Sequence, residues 1–292
     1  MKFSKASDYR SENTRLSESA LLSLWAKLGD LQDDIVLVGG LVPRYICRPS
    51  SDGLEPNTLD VDFGIALAAG GSMYSPLSER LGSEGFLWKN RRFVKKTSRG
   101  NFIVDFLTER PTPNSTTTAI VDNIGVSAFF GIDRALRIFR EVEIEGTDLD
   151  GARVRERVKV CEIGPFICLK LQAFHGRAER KDLFDVIRSV IHYDGGLDEA
   201  IRSFQQEAGL NLAHPIACRV LRDRFEDEKA KGPIAYASFC LEEQPLMIDL
   251  SEEERVYRYA TFANQAVDVA LALLAPATGG LGSNGTENRL KE

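Results

Sequence analysis

The fold is decided by I-V-L-V-G-G at residues 35–40 and T-L-D-V-D-F at residues 58–63. The first segment is an apolar run that ends in Gly39 and Gly40, which predicts a buried strand that turns sharply into a helix. Glycine has no Cβ, so its backbone tolerates such a turn and can approach a phosphate closely. The backbone amides of these two glycines are therefore candidates for phosphate binding.

The second segment predicts two carboxylates on one face of a strand. Side chains two apart in a strand share a face, so Thr58, Asp60 and Asp62 point one way. The core-facing positions would be Leu59, Val61, Phe63 and Ile65. Neighbouring carboxylates repel each other unless a cation lies between them, and Mg²⁺ is commonly held by one or two carboxylates plus substrate phosphates. Together the two segments indicate nucleotide chemistry at a metal site.

A third acidic residue lies in N-F-I-V-D-F-L at residues 101–107. Asp105 shares a strand face with Ile103 and Leu107, and a charge in that setting is costly unless it is paired or metal-bound. The order of G-G, T-x-D-x-D and a lone Asp resembles the polymerase-β-like nucleotidyltransferase superfamily. The resemblance implies that Asp60, Asp62 and Asp105 hold two Mg²⁺ ions, that an NTP is the co-substrate, and that Asp105 accepts the proton of an acceptor hydroxyl.

A helical motif narrows the resemblance. The chain has K-L-Q-A-F-H-G-R at 170–177 and R-K-D-L-F-D at 180–185, which is similar to the motif of AbiEii-type nucleotidyltransferases. These include the toxin components of type IV toxin–antitoxin and abortive-infection systems. The resemblance implies that Lys170 neutralises charge on the phosphates and that Asp182 belongs to the NTP site. It also implies tRNA modification at the 3′ end as the reaction and an antitoxin protein as a partner. Without the three upstream carboxylates, two charged surface helices would be the preferred interpretation of this motif.

The chain departs from the family pattern at Ile103, where a basic residue often precedes the third Asp. Positive charge could come instead from the basic hairpin, which comprises Lys89, Arg91, Arg92, Lys95, Lys96 and Arg99. With Trp88 and Phe93 among its cations, this hairpin could contact tRNA, although lysines on an edge hairpin also prevent aggregation. Arg44, one turn into the helix after Gly40, could reach a phosphate or lie on the surface.

The composition is that of an ordinary globular protein and limits the classes of partner. The chain has 292 residues, 43% apolar and 27% charged, a formal net charge of −6 and a pI of about 5.4. A globally basic nucleic-acid binder is excluded, so any RNA contact must use a local patch. Five cysteines without metal-ligand spacing predict reduced thiols in a cytoplasmic protein. The apolar run at 266–275 is too short to span a bilayer, so no membrane role is expected.

The predicted fold class is α+β. A nucleotidyltransferase-like domain with a mixed β-sheet flanked by helices is expected at 1–163, an all-α domain at 164–274 and a disordered tail at 275–292. Residues 1–15 are expected to be poorly ordered, 108–118 to form a polar loop, and 89–99 to form a hairpin. Strands are predicted at 35–38, 59–67, 136–145 and 153–162. A first helix is predicted to begin at Ser17 or Ser19 and to end at Lys27. Further helices are predicted at 40–46, 74–85, 165–177, 181–192, 197–207, 213–229 and 251–274.

Two other functions are compatible with the sequence. One is a small-molecule nucleotidyltransferase of the antibiotic-modifying type, because an acidic protein can offer a negative cleft to a cationic substrate. The other is a nucleotide-binding or interaction protein that has lost activity. The three intact carboxylates oppose the second alternative.

Overall fold

A mixed β-sheet lies at the centre of the N-terminal half. The computed structural model describes residues 11–50, 54, 56–58, 60–66, 75–89, 92–97, 100–112, 115, 117–121, 124–243 and 250–276. The strands are β1 (Ile35–Val38), β2 (Val61–Ile65), β3 (Leu87–Lys89), β4 (Arg92–Thr97), β5 (Gly100–Glu109), β6 (Thr118–Val121), β7 (Ile124–Phe129), β8 (Phe139–Thr147) and β9 (Arg153–Cys161).

Helices cover this sheet and form most of the C-terminal half. They are α1 (Ser11–Leu28), α2 (Pro43–Ile46), α3 (Ser75–Ser83), α4 (Ile132–Arg137), α5 (Ile163–Arg177), α6 (Arg180–His192), α7 (Leu197–Gln205), α8 (His214–Arg224), α9 (Lys231–Glu243) and α10 (Glu252–Leu274). Short 3₁₀ turns occupy Gly29–Asp34 and Gly39–Leu41. In the described part of the chain, no helix is long and apolar enough to cross a membrane.

The sheet order places the two acidic strands side by side. Hydrogen-bonded neighbours follow the order β3-β4-β5-β2-β1-β9-β8, and β7 pairs with β5 and β6. β1 is antiparallel to β2, and β2 is parallel to β5. β4, the outer neighbour of β5, runs antiparallel to it. The predicted fold class, a mixed α+β sheet domain followed by helices, is confirmed.

Part of the core lies on the sheet face that α1 covers. Val61, Phe63 and Ile65 alternate along β2 and are at most 1% exposed. The Phe63 ring centroid lies 6.1 Å from that of Trp25 on α1 and 5.6 Å from that of Phe106 on β5. Full burial of such side chains stabilises a fold by about 1.5–3 kcal/mol each. The same alternation turns the acidic side chains of β2 toward the opposite face.

Helix α5 is buried along most of its length and joins the two halves. All of Ile163–Leu171 is buried, and the helix contacts α4, α6, α7 and α8. Polar contacts also cross the predicted boundary at 163–164. The Arg134 guanidinium pairs with Glu207 at 2.9 Å, and Arg140 pairs with Asp194 at 2.5 Å. The division into two domains stays a prediction.

Several predicted elements need correction. Helix α1 begins at Ser11, so the described part of the predicted disordered N-terminus is helical. It is anchored by Thr14, whose hydroxyl donates to the Asn57 side chain at 2.9 Å and accepts from the Thr58 amide at 3.0 Å. The predicted loop at 108–118 is replaced in part by β5, which continues to Glu109.

Other elements were missed because tertiary pairing decides them. Strand β6 begins at Thr118, the last residue of the predicted loop, and pairs with β7, and α4 follows β7 closely. The predicted helix 213–229 ends at Arg224, and α9 begins at Lys231. Of the predicted tail, only 275 and 276 are described. Residues 1–10 and parts of the predicted loop and hairpin also lie outside the described residues.

Candidate metal and nucleotide site

Three carboxylates converge where β2 and β5 run in parallel. Asp62 and Asp105 are register partners across the two strands, and Asp60 immediately precedes β2. One carboxylate oxygen from each of the three lies within 4.8 Å of the others. The Thr58 hydroxyl donates to Asp60 at 2.9 Å and orients that side chain. The alternation in the sequence therefore places Asp60, Asp62 and Asp105 as predicted.

The glycine turn packs directly against these acids. Gly39 has a φ of +76°, and a Cβ built on it would clash with the Asp62 carboxylate. A Cβ on Gly40 would lie 2.6 Å from the Thr58 hydroxyl oxygen. Glycine is required at Gly39 for two reasons, because the backbone is left-handed and because an acidic side chain fills the adjacent space.

Arg92 bridges two of the three carboxylates. Its Nε donates to both Asp105 oxygens at 2.8 and 2.9 Å, and its Nη2 donates to Asp60 at 2.8 Å and also to Asp105. Strand register explains this position. Phe93 on β4 is paired with Val104 on β5, so the antiparallel ladder brings Arg92 opposite Asp105.

The electrostatics of the acidic set favour a further cation. Burial raises the pKa of Asp62 well above its usual value, and the charges of Asp60 and Asp105 raise it further. Burial also raises the pKa of Asp105, although hydrogen bonds from Arg92 offset part of this shift. None of the described side chains donates a hydrogen bond to the Asp62 carboxylate. Ionised Asp62 therefore lacks a direct counter-charge within the described structure.

A second, buried charge network lies between α5 and α6. The Lys170 ammonium is 2.6 Å from Asp185 and 3.6 Å from Asp182. Lys181 also binds Asp185, at 2.6 Å, and the Arg177 guanidinium donates to both Asp182 oxygens at 2.7 and 2.5 Å. All but Arg177 are at most 8% exposed. Charges at such depth persist only when they are paired.

The pKa shifts in this network show how tightly the charges are coupled. Burial lowers the pKa of Lys170, but Asp185 and Asp182 outweigh it, and the net shift is upward. Burial raises the pKa of Asp182, but Lys170 and Arg177 reverse this and hold it below the usual value. Burial and the neighbouring Lys170 lower the pKa of Lys181 despite its bond to Asp185.

The two networks are adjacent. The positive charge of Lys170 acts on Asp62 and opposes the rise in its pKa. The Lys181 Nζ lies 3.6 Å from the position that a Cβ on Gly40 would occupy. The α5–α6 network thus lies next to the glycine turn through Lys181. Through Lys170 it also places positive charge near the acidic set. Lysines and an arginine beside a glycine turn form an electrostatic setting suited to a triphosphate.

The structure places the predicted site residues in three groups. Asp60, Asp62, Asp105, Gly39, Gly40 and Thr58 form one contiguous set. Lys170 and Asp182 lie in the adjacent buried network, which rules out a surface position for Lys170. Arg44 forms a bidentate ion pair with Glu18, with hydrogen bonds of 2.8 and 3.0 Å. Its role in phosphate binding stays a prediction.

Sequence reasoning missed three contributors to this arrangement. The sequence names Arg92 only as one of six hairpin cations that could supply positive charge, and its cross-strand register to Asp105 is what distinguishes it from the other five. Arg177 and Lys181 lie within the helical motif but were not assigned to the site. Their signal was available, because Lys181 and Asp185 are four apart and share a helix face.

The donor set fits a hard divalent cation. Carboxylate oxygens are the ligands that Mg²⁺ prefers, at about 2.0–2.1 Å. Three such oxygens within 4.8 Å of one another can converge on one ion or bridge two after small side-chain movements. The raised pKa of Asp62 indicates that the protein alone leaves a negative charge insufficiently compensated.

Comparison with known proteins gives little guidance. No protein-family model matches the chain, and no curated protein is significantly similar to it. Among solved structures, the Rhodothermus marinus CdnE c-UMP-AMP synthase with Apcpp and Upnpp aligns over 94% of this chain and 99% of that one. The sequence identity is 11% and the TM-score 0.23. At that TM-score the alignment carries no weight for fold or function.

Proposed function

We propose that this protein is a metal-dependent nucleotidyltransferase that moves a nucleoside monophosphate from an NTP to an acceptor hydroxyl. The observation that carries the proposal is the convergence of Asp60, Asp62 and Asp105 beside the glycine turn. A partly buried carboxylate cluster of this kind is unfavourable by itself and suits Mg²⁺, while the turn offers amides and space to phosphates.

Each part of the site has a role in the proposed reaction. Mg²⁺ held by Asp60, Asp62 and Asp105 would stabilise charge on the phosphates and lower the pKa of the acceptor hydroxyl. Asp105, half-buried at the edge of the set, accepts the acceptor's proton. The Gly39 and Gly40 amides hold the β- and γ-phosphates. Lys170 contributes positive field to the phosphates from its fixed position between Asp182 and Asp185.

We further propose that the acceptor is an RNA end, in particular the 3′ end of tRNA. Lys89 and Lys96 are exposed on the basic hairpin, and Trp88 beside them is 37% exposed. The same hairpin carries Arg92 into the acidic set, so a nucleic-acid backbone bound there would end near the metal site. Exposed cations with an aromatic side chain suit phosphate contact and base stacking.

The resemblance of the helical motif to AbiEii-type proteins adds a biological proposal. Modification of tRNA 3′ ends would block aminoacylation, and the protein would then act as a toxin with an antitoxin partner. Expression of the wild-type chain would stop growth, and expression of Asp62→Asn would not. Equal growth with both chains would contradict the toxin role.

The experiment is incubation of the purified protein with Mg²⁺, total tRNA and each of the four α-labelled NTPs in turn. The proposal expects label on tRNA from at least one NTP, loss of label with Asp62→Asn, and weaker labelling with Lys89→Glu combined with Lys96→Glu. Label on small molecules alone would contradict the RNA acceptor and retain nucleotidyl transfer. No label with any NTP, on tRNA or on a mixture of small cellular metabolites, would contradict the proposed function.

A further inference from the structure

Arg92 occupies the carboxylate oxygens that a metal would use. It forms two hydrogen bonds through Nε and two through Nη2, and all four end on Asp60 or Asp105. A guanidinium matches carboxylates in a fork geometry, and such charge-assisted bonds are about twice as strong as neutral ones. Arg92 is thus a strong internal ligand of the acidic set.

Arg92 and metal ions cannot both use these oxygens fully. A divalent cation 2.0–2.1 Å from a carboxylate oxygen repels a guanidinium that contacts the same oxygen. Asp62 alone, the acid that Arg92 leaves without a hydrogen bond, offers one carboxylate to a metal. Full coordination by all three acids therefore requires Arg92 to leave Asp60 and Asp105.

The position of Arg92 allows it to leave. Its side chain is 37% exposed, and those of Asp60 and Asp105 are 29% and 18% exposed, so water reaches the ion pairs. Arg92 is the first residue of β4, which is next to the edge strand β3. Leu87 on β3 is 73% exposed, so this edge of the sheet faces solvent. A side chain at the start of a strand near the sheet edge can change rotamer without disturbing the core.

We infer that Arg92 is a built-in counter-cation that competes with the metal for Asp60 and Asp105. Without metal, it neutralises part of the carboxylate cluster and stabilises the folded site. Metal binding displaces it toward solvent. The inference rests on the metal site of the proposed function. It adds that Arg92 lowers the affinity of that site for metal ions in the absence of nucleotide.

The opposite arrangement is also physically possible and gives the opposite result. If Arg92 held the acids in the geometry that the metal needs, removing it would let them splay apart through mutual repulsion. The metal affinity of an Arg92 variant would then fall. The direction of the change in metal affinity therefore decides between competition and positioning.

The test is Mn²⁺ affinity, measured by calorimetry and by electron paramagnetic resonance on nucleotide-free protein. Arg92→Ala is expected to bind Mn²⁺ about tenfold more tightly than wild type, or tighter still, because charged hydrogen bonds no longer have to be broken. Arg92→Lys, a point charge without the fork, is expected to fall between them. Lys96→Ala is the control, because it removes the same charge from an exposed position on the same strand.

The outcomes separate the inference from the function on which it rests. Circular dichroism and a thermal melt with and without Mn²⁺ establish that each variant is folded, and Arg92→Lys serves if Arg92→Ala does not fold. Equal or weaker Mn²⁺ binding by the folded Arg92 variants overturns the competition and leaves the metal site standing. If Mn²⁺ affinity rises by the same factor in Arg92→Ala and in Lys96→Ala, the competition is also overturned. Absence of Mn²⁺ binding in every protein overturns the metal site and the competition together.

Discussion

At the scale of single residues, Asp62 carries an electrostatic cost that the fold creates. Burial and the charges of Asp60 and Asp105 hold its pKa above the ordinary value of 3.8. An acid whose pKa is raised on folding lowers stability progressively as the pH rises from its unfolded pKa to its folded pKa, since the unfolded chain accommodates the charge better, and the cost is constant above the folded pKa. Below pH 3.8 the acid is protonated in both states and the cost is absent.

Asp62→Asn removes this cost and should also remove the metal. In chelator, its free energy of unfolding at neutral pH should equal or exceed that of wild type, with a difference on the order of 1 kcal/mol. The difference should grow as the pH rises above 3.8 and become constant above the raised pKa of Asp62. Urea unfolding at several pH values measures it, and calorimetry measures loss of Mn²⁺ binding. A folded Asp62→Asn protein that binds Mn²⁺ like wild type would contradict the role of Asp62.

At the scale of helices and strands, Lys170 is fixed by the packing of α5 against α6. Its charge is shared between Asp185 and Asp182, and it lies in the stretch Ile163–Leu171 of α5, which is buried throughout. Lys170 is only 7% exposed, so its loss would leave two buried carboxylates with fewer partners.

Lys170→Met should destabilise the protein by about 3 kcal/mol, near the lower end for a broken buried pair, because Lys181 remains on Asp185. Lys96→Met, an exposed lysine on β4, is the matched control and should change stability by less than about 0.5 kcal/mol. Nucleotide affinity, measured at a temperature where the variant is folded, should also fall. Equal stability of the two variants would contradict the structural role, and unchanged nucleotide affinity would contradict the contribution to phosphate binding.

The sequence predicts this site to the extent that local periodicity determines it. The two-residue alternation placed Asp60 and Asp62 on one face, and the apolar setting of Asp105 marked it as a partner. The position of Arg92 was out of reach, because it depends on the register of β4 on β5. Likewise, β6 pairs with β7 and β7 pairs with β5, and β6 is a four-residue segment whose strand state depends on that pairing.

At the scale of the whole molecule, the ion pairs across residues 163–164 predict that the two halves unfold together. Both tryptophans, Trp25 and Trp88, lie in the N-terminal half, whereas most of the helical residues lie in the C-terminal half. Urea transitions followed by tryptophan fluorescence and by far-ultraviolet circular dichroism should therefore coincide, as in a single cooperative unit. Two separated midpoints would contradict this coupling and support independent domains.

The central claim is that the three carboxylates catalyse transfer of the α-phosphate group of an NTP. The direct measurement compares α-labelled and γ-labelled NTP with wild type and Asp62→Asn, with Mg²⁺ and with chelator, in the presence of total tRNA. We expect label in the acceptor only from α-labelled NTP, only with Mg²⁺ and only with wild type, while γ label is released as pyrophosphate. Transfer from γ-labelled NTP, transfer in chelator, or full transfer by Asp62→Asn would contradict the claim.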